Sequence, residues 1–165
     1  MTVSPPVVRP VEPRDAKLAP WRAFLLAHAR VFRRLDEELR VEHDLTVGEY
    51  DALLTIAQAP ERKIRMRQLA DQVILSKSGV TRLIDRLVDD GLVERSACLS
   101  DARGAEAVLT DRGLSRLRAA AKTHLRGIDE HFLSILGDGD LDVIERTMSS
   151  VAERAGSGSA SSGDC

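Results

Sequence analysis

Aromatic residues are scarce in this chain of 165 residues, where Trp, Tyr and Phe together make up 3% of the composition. The hydrophobic core must therefore be built from Leu, Val, Ile and Ala, which suits helices packed on helices better than a β-sandwich. No run of about eighteen apolar residues is present, so the sequence predicts no membrane-spanning helix. The N-terminus also lacks the apolar stretch of a secretory signal, and we expect a cytoplasmic protein.

Cysteine is almost absent as well, and the two that occur, Cys98 and Cys165, lie far apart in sequence. They supply neither a disulfide framework nor the ligand spacing of a zinc site. Cys98 is nevertheless a candidate redox-sensing thiol. His124 and His131 could share one helix face and bind a metal, although two ligands do not complete a site. With no nucleophile turn or orienting third residue beside these groups, we expect no enzymatic activity and no cofactor.

The net charge of −2 gives by itself no reason to expect a nucleic-acid partner. The positive charges, however, are concentrated in one segment. Between Arg62 and Arg103 the chain has nine Lys and Arg residues against six Asp and Glu residues. A basic segment in an otherwise acidic chain is where we expect contact with a polyanion.

Sequence periodicity predicts a mainly α fold with six helices and one β-hairpin between two irregular ends. Residues 1–17 contain four prolines and no hydrophobic period, which predicts a flexible arm. Residues 156–165 are rich in Gly and Ser and are predicted to be a disordered tail.

Local signals place the ends of several helices. The first helix is expected to open at Pro20, where the missing N–H needs no partner. Thr46 and Glu49 form the pattern of a capping box at the start of the second helix, which ends before Pro60. Gly91 suits the position just past the end of the fourth helix.

The middle of the chain alternates short helices with extended runs. A third helix is predicted from Met66 to Gln72, and Ser76 is a good N-cap for the fourth. Two extended runs, Leu92–Ser96 and Ala105–Leu109, flank a polar tip at residues 98–104 and predict a β-hairpin.

The C-terminal third is predicted to contain two helices. Thr110 restarts a helix whose apolar period continues to Leu136, and Gly137 and Gly139 are expected to break it. A last helix then holds the apolar residues from Leu141 to Val151.

The terminal helices carry more apolar surface than a small core can bury. Residues 46–109 can form a compact lobe on their own, whereas the stripes within residues 18–45 and 110–155 exceed what that lobe can cover. Such surplus stripes usually meet across a dimer interface, so we assign residues 18–45 and 110–155 to dimerisation.

The start of the predicted fourth helix carries short polar side chains, followed by two arginines on one stripe beside the apolar face. A helix that enters the major groove needs small residues at its start, because bulky ones would hold its backbone away from the base edges. The N–H groups at the start of a helix also favour contact with phosphate. The pattern therefore predicts a helix that contacts DNA. The residues concerned are Ser76, Ser78, Gly79, Thr81, Arg82 and Arg86.

Three stretches of the sequence resemble the wing signature of MarR-type regulators: Gly91–Arg95, Ser100–Gly104 and Val108–Gly113. The preceding run Leu75–Leu83 is similar to the recognition helix of that family. The similarity covers roughly residues 20–155, and the order of helices agrees throughout. The resemblance implies a winged helix-turn-helix homodimer that binds a pseudo-palindromic operator in double-stranded DNA. Because members of this family usually repress transcription, the resemblance also implies a repressor.

The resemblance also implies roles for particular residues. The fourth helix would enter the major groove, and Arg103 at the wing tip would enter the adjacent minor groove, where the negative potential favours arginine. Arg95 and Asp101 would form a buried pair that braces the wing. Ser76, Ser78, Gly79, Thr81 and Arg82 would lie near the bases, and Lys77, Arg86 and some of Arg62, Arg65 and Arg67 would lie on phosphates.

Control by a small molecule is a further expectation from the resemblance. Trp21, His28 and Tyr50 could line an effector pocket between the dimer helices and the DNA-binding lobe. The alternative is that Trp21 and His28 only pack in the interface.

One alternative function stays open, a winged-helix module that binds another protein and never contacts DNA. That function would favour acidic or apolar residues at the start of the fourth helix and a shortened wing. The sequence has neither feature.

Overall fold

The computed structural model describes residues 18–72, 77–97 and 105–157. The predicted arm, the helix joint with Ser76, the wing tip and the last eight residues lie outside this part of the chain. Within it are six α-helices and a three-stranded antiparallel sheet. In chain order they are α1 (Ala19–His43), α2 (Val47–Gln58), β1 (Lys63–Arg65), α3 (Met66–Gln72), α4 (Lys77–Asp89), β2 (Val93–Ala97), β3 (Ala105–Leu109), α5 (Asp111–His131) and α6 (Asp138–Ser157).

Side-chain caps begin α2 and α5. The capping box predicted for α2 is confirmed, because the Thr46 N–H donates to Glu49 Oε2 at 2.7 Å and the Glu49 N–H donates to Thr46 Oγ1 at 3.1 Å. At α5, the Gly113 N–H donates to Thr110 Oγ1 at 2.9 Å. Each bond satisfies an N–H group that has no partner inside its helix.

The end of α4 follows the prediction from Gly91. This glycine has a φ of +68°, in the left-handed region that favours glycine. Its N–H donates to Val88 O, and the Leu92 N–H donates to Leu87 O, both at 2.9 Å. These bonds satisfy the last carbonyls of α4 and turn the chain directly into β2.

The sheet has the strand order β1-β3-β2. The β2–β3 hairpin is confirmed, whereas β1 is absent from the sequence prediction. In the register of the sheet, Ile64 pairs with Ala107 and Val93 pairs with Leu109. All four side chains are buried, so one face of the sheet packs on the helices.

One hydrophobic core joins the second half of α1 to α2, α3, α4, α5 and the sheet. It is aliphatic, as the scarcity of aromatic residues predicts. Its fully buried side chains include Leu39, Leu53, Ile56, Leu69, Ile84 and Leu87.

The helices α1 and α5 run antiparallel and lie very close together. His43 contacts Thr123 near one end of the pair, and Glu38 contacts His131 near the other. Gly127 permits the approach between them, because a Cβ there would lie 2.7 Å from both Leu35 Cδ2 and Glu38 Oε2. The residues of α1 in these contacts, Leu35, Glu38 and His43, all lie in its second half.

The first half of α1 and the whole of α6 carry exposed apolar side chains. Leu35 and Leu39 are the buried residues of α1, and none of the side chains described for α6 is buried. No described helix is both long and apolar enough to cross a bilayer. The exposed apolar residues are Leu18, Trp21, Phe24, Leu25, Leu26 and Phe32 towards the start of α1, and Val143, Met148 and Val151 on α6.

Three boundaries in the C-terminal third differ from the sequence prediction. The helix α5 ends at His131 and not at Leu136, because Phe132 leaves the helical region with a φ of −139° and a short 3-10 turn follows. The break expected at Gly139 is wrong, because this glycine is the second residue of α6. That helix also continues through Ser157, two residues into the predicted tail.

Candidate nucleic-acid interface

The helix α4 buries one face and exposes the other. Val80, Ile84 and Leu87 are buried against the core, as the predicted apolar stripe requires. Thr81 and Arg82 lie on the exposed side near the start of the helix. Arg82 makes no ion pair with any residue that the structure describes. A short polar side chain and an extended cation therefore face outwards together.

The other predicted contact residues of this segment that the structure describes also belong to the start of α4. Lys77 and Ser78 form its first turn, and Gly79 follows them. Ser76 lies outside the described residues.

Exposed cations lie on β1 and at the start of α3. Because Ile64 points into the core, Lys63 and Arg65 on either side of it point outwards. Arg67 is also exposed, in the first turn of α3. Arg62 forms an ion pair of 3.4 Å with Asp111 at the start of α5.

A tight turn with positive φ angles at Glu61 and Arg62 leads into β1. Glu61 accepts a hydrogen bond from Lys63 at 2.6 Å. This bond lowers the pKa of the Glu61 carboxyl and raises the pKa of the Lys63 amine. The pair therefore stays ionised, and one of the surface cations is partly neutralised.

Arg86 lies among carboxylates, with its side chain 44% exposed. Its Nε lies 3.2 Å from Glu49 Oε1 and 3.9 Å from Asp90 Oδ2, and its Nη2 lies 3.4 Å from Asp44 Oδ1. The Nη2 also donates to the backbone carbonyl of Asp44 at 3.4 Å. We name Arg86, Glu49, Asp44 and Asp90 the Arg86 cluster. These contacts favour a structural role over the predicted phosphate contact.

Arg95 connects the wing to α4. Its side chain leaves β2 on the face that covers the helices, and its Nη2 lies 2.7 Å from Asp85 Oδ1. The Arg95 side chain is 39% exposed. Asp101, the partner predicted for Arg95, and Arg103 at the wing tip both lie outside the described residues. Sequence reasoning missed Asp85 as a partner, because only the fold brings β2 against α4.

The three residues predicted to line an effector pocket fall into two places. Tyr50 is buried in α2, with its ring centroid 4.4 Å from that of His124 on α5. Trp21 and His28 lie on the exposed half of α1. There the rings of Trp21, Phe24, His28 and Phe32 contact one another in sequence, with centroid distances of 5.8, 6.2 and 4.3 Å. We call these four residues the α1 ring ladder.

The surroundings of Tyr50 are poorly solvated. Burial raises the pKa of Tyr50 and of the neighbouring Asp51, and it lowers the pKa of His124. His124 Nδ1 is buried and has no hydrogen-bond partner among the described residues. The three groups are thus all held towards their neutral forms at the junction of α2 and α5.

The histidines considered as metal ligands have separate partners. His124 packs on Tyr50, whereas His131 Nε2 lies 2.6 Å from Glu38 Oε1. Within the described ranges, no group of three or more His, Cys, Asp or Glu side chains could hold a metal ion. The pair is therefore used in packing α5 against α1 and α2.

Comparison with known proteins covers both this interface and the terminal helices. Residues 43–104 match the model of the MarR family. AbsC, a MarR family transcriptional regulator from Streptomyces coelicolor, is 30% identical with a TM-score of 0.80, and the alignment covers 90% of this chain and 98% of AbsC.

Two further relatives extend the comparison. Sco3205, a MarR family transcriptional regulator from the same organism solved in complex with DNA, is 28% identical with a TM-score of 0.81, over 89% of this chain and 92% of Sco3205. The HTH-type transcriptional regulator MhqR of Bacillus subtilis is 22% identical over 130 residues, which are 77% of this chain and 88% of MhqR.

Proposed function

This chain belongs to the MarR family of transcription regulators, and we propose that it binds an operator in double-stranded DNA as a homodimer and represses the genes beside it. The observation that carries the proposal is the exposed side of α4 near its start, where Thr81 and Arg82 face outwards. DNA is the polyanion that suits this surface, because a helix of this width fits the major groove and cations beside it meet the phosphates. The DNA-bound structure of Sco3205 supports the same partner.

In the proposed complex, residues from Ser76 to Arg82 approach the base edges. Lys77, Arg65 and Arg67 contact the flanking phosphates, and so does Arg62 if it leaves Asp111. We assign Arg86 to support of α4 instead, since it already faces three carboxylates.

The wing supplies the second contact in this proposal. The strands β2 and β3 carry a tip that includes Arg103, which we propose enters the minor groove next to the major groove occupied by α4. Arg95 braces the wing by its contact with Asp85, and bracing through Asp101 stays a prediction.

The homodimer is supported by the apolar surface that one chain leaves uncovered. The α1 ring ladder and the exposed face of α6 together expose far more apolar surface than scattered single residues do. A second copy of the chain would cover both faces by a two-fold axis. Two recognition helices would then meet half-sites about one helical turn, roughly 34 Å, apart.

Release of the DNA by a small-molecule effector is the finer part of the proposal. Tyr50 and His124 supply a poorly solvated aromatic wall, to which an aromatic or phenolic molecule is suited. Because Trp21 and His28 lie on the exposed half of α1, a pocket that used them with Tyr50 would need the partner subunit. Such a regulator would act in the cytoplasm, the compartment predicted from the sequence.

The test is a fluorescence-anisotropy titration of the purified chain against duplexes from its own upstream region, at two salt concentrations. We expect tight, sequence-selective binding that weakens steeply with salt, because each phosphate contact releases counterions. No binding to that region or to random duplex at low salt would overturn the proposal. It would favour the protein-interaction module instead.

Arg103→Ala tests the wing within the same assay. We expect weaker DNA binding, by about 1–3 kcal/mol if the side chain reaches the minor groove, with the unfolding temperature unchanged. Ser115→Ala, an exposed change on α5 away from the proposed interface, is the matched control. An Arg103→Ala chain that binds as tightly as the wild type would remove the wing from the model.

A further inference from the structure

The helix α4 is attached to the rest of the lobe by two kinds of contact. Val80, Ile84 and Leu87 supply apolar burial, which is strong but non-directional and leaves the tilt of a helix weakly defined. Arg86 supplies the directional contact. Its planar guanidinium uses two different nitrogens, Nε towards the buried Glu49 at 3.2 Å and Nη2 towards the exposed Asp44 at 3.4 Å, and the two contacts together orient its plane.

Glu49 is an unusual partner because its side chain is only 5% exposed. Its Oε2 accepts the Thr46 N–H at 2.7 Å in the capping box, and its Oε1 faces Arg86. Both oxygens are therefore used, one by the start of α2 and one by α4. A buried carboxylate is costly without such compensation, so Glu49 holds Arg86 in one place.

Asp44 extends the connection to α1. It follows the last residue of α1 in a left-handed conformation, with a φ of 51°, and its N–H donates to Arg40 O. Asp36 Oδ1 accepts the Val47 N–H at 2.9 Å and so joins α1 to the first residue of α2. The corner between α1 and α2 is thus fixed by several polar contacts, and Arg86 attaches α4 to both of its sides.

We propose that Arg86 is a positioning residue that sets the angle of α4 relative to α1 through Glu49 and Asp44. The inference rests on the proposed function. In a dimer joined through the first half of α1, this angle decides how far apart the two recognition helices lie on DNA. The three carboxylates around Arg86 outweigh its single positive charge, so the cluster repels phosphate and does not bind it.

The experiment begins with the wild-type chain and a pool of random-sequence duplexes, from which the preferred pseudo-palindrome is selected. Affinity is then measured for that duplex and for versions whose half-sites are one or two base pairs closer or further apart, at several salt concentrations. Two variants are compared with the wild type. Arg86→Met keeps an apolar side chain and removes the guanidinium. Glu49→Gln keeps an oxygen that can accept the capping hydrogen bond and removes the negative charge.

Both variants are expected to bind the selected duplex about tenfold more weakly and to discriminate less between half-site spacings. The slope of log affinity against log salt should stay at the wild-type value, because no phosphate contact is lost. The decisive result is whether Glu49→Gln binds DNA more weakly or more tightly than the wild type. Removal of a negative charge would strengthen DNA binding if only the overall field mattered, whereas loss of positioning weakens it.

Two controls separate position from charge. Asp89→Asn removes a carboxylate from the end of α4 that makes no ion pair among the described residues, and it should bind at least as tightly as the wild type. Arg82→Ala removes a cation four residues before Arg86, and it should weaken binding without altering the preferred spacing. Unfolding temperature and dimer size are measured for every variant. If Arg86→Met does not fold, it is replaced by Arg86→Lys, which keeps the positive charge and lacks the planar guanidinium.

The inference fails if the wild type selects an operator and Glu49→Gln binds it as tightly as the wild type. It also fails if Arg86→Met keeps the spacing preference and lowers the salt slope by about 0.9, the value of one phosphate contact. A wild-type chain that selects no duplex at low salt would instead overturn the proposed function, and the inference with it.

Discussion

Gly113 and Gly139 are both helical, but their surroundings differ. A Cβ at Gly113 would lie 2.1 Å from the backbone oxygen of Leu92 and 2.8 Å from Leu109 Cδ1. A Cβ at Gly139 would meet no atom within 4 Å. The first glycine therefore lets α5 start directly against the strand β2, while the second has no such function.

We expect Gly113→Ala to lower the free energy of unfolding by about 1–3 kcal/mol, because the backbone of Leu92 cannot yield as a flexible side chain can. Gly139→Ala should raise it by about 0.5 kcal/mol, since alanine restricts the unfolded chain at no steric cost. Urea denaturation of both variants under one buffer condition measures the difference. Equal effects would contradict the close approach at Gly113.

His124 predicts a pH dependence of stability. Burial lowers its pKa below the ordinary value of 6.5, so below that pH the unfolded chain takes up more protons than the folded one. The free energy of unfolding is therefore expected to fall as the pH drops through this range. His124→Phe keeps a ring against Tyr50 and removes the titration, so between about pH 7.5 and about pH 5.5 it should lose less stability than the wild type.

The control for this comparison concerns Asp51, whose sequence neighbour Tyr50 contacts His124. Burial raises the pKa of Asp51, so this group acts in the opposite direction and adds stability as the pH falls. Because Asp51 and His124 also shift the pKa of each other, the comparison is repeated with Asp51→Asn in both proteins, and the remaining difference between the denaturation curves isolates His124. Parallel curves would show that His124 does not cause the dependence.

Individual residues of the interface could be predicted only where their neighbours are close in sequence. The small residues at the start of α4 follow from a local pattern, and the exposure of Arg82 agrees with it. The partners of Arg86 and Arg95 did not follow, because Glu49 and Asp85 meet them only after the helices and the sheet have packed.

At the scale of elements, predictions succeeded where a cap or a long period marks a boundary. Thr46 with Glu49 and Gly91 each mark a helix end by chemistry within a few residues. The strand β1 was missed because three residues show no period, and its pairing partner β3 lies some forty residues later. The end of α5 was placed too late because apolar spacing continues through a 3-10 turn that buries nothing.

The wing provides a prediction at this scale. Asp85→Asn should loosen β2 and β3 against α4, because it removes the charge that Arg95 contacts at 2.7 Å. The pair is partly exposed, so we expect amide exchange in the two strands to become only about twofold faster. Hydrogen exchange read by mass spectrometry measures this.

Asp101→Ala is the companion variant for the wing. Faster exchange in Asp101→Ala alone would assign the brace to Asp101, as the sequence predicts, and would contradict the role of Asp85. The exposed change Asp89→Asn, at the end of α4, should leave the strands as they are.

At the scale of the whole molecule, the exposed apolar residues of α1 and α6 predict a dimer joined through these two helices. Leu25 on α1 is 45% exposed and Val151 on α6 is 57% exposed. We expect the double variant Leu25→Glu with Val151→Glu to weaken the dimer about tenfold or more, because buried charges without partners are costly. Sedimentation velocity measures the change, and DNA binding should weaken with it.

Val41→Glu is the matched control for the dimer. Val41 is on the same helix α1 and is 86% exposed, but it lies beyond the ring ladder, in the half that packs on α5. This variant should sediment as the wild type does. A double variant that stays dimeric would show that the terminal helices do not join the subunits.

In the proposed homodimer, the α1 ring ladder has a consequence for gene dosage. Where chains are scarce, most are single, and the concentration of pairs then falls with the square of the concentration of chains. Halving the rate of synthesis would leave about a quarter of the dimers. The remaining monomers would have the four rings of the α1 ring ladder uncovered and would be exposed to cellular proteases. The uncovered first half of α1 would thereby make control of transcription vary with the square of the amount of regulator that the cell produces, as long as chains are scarce.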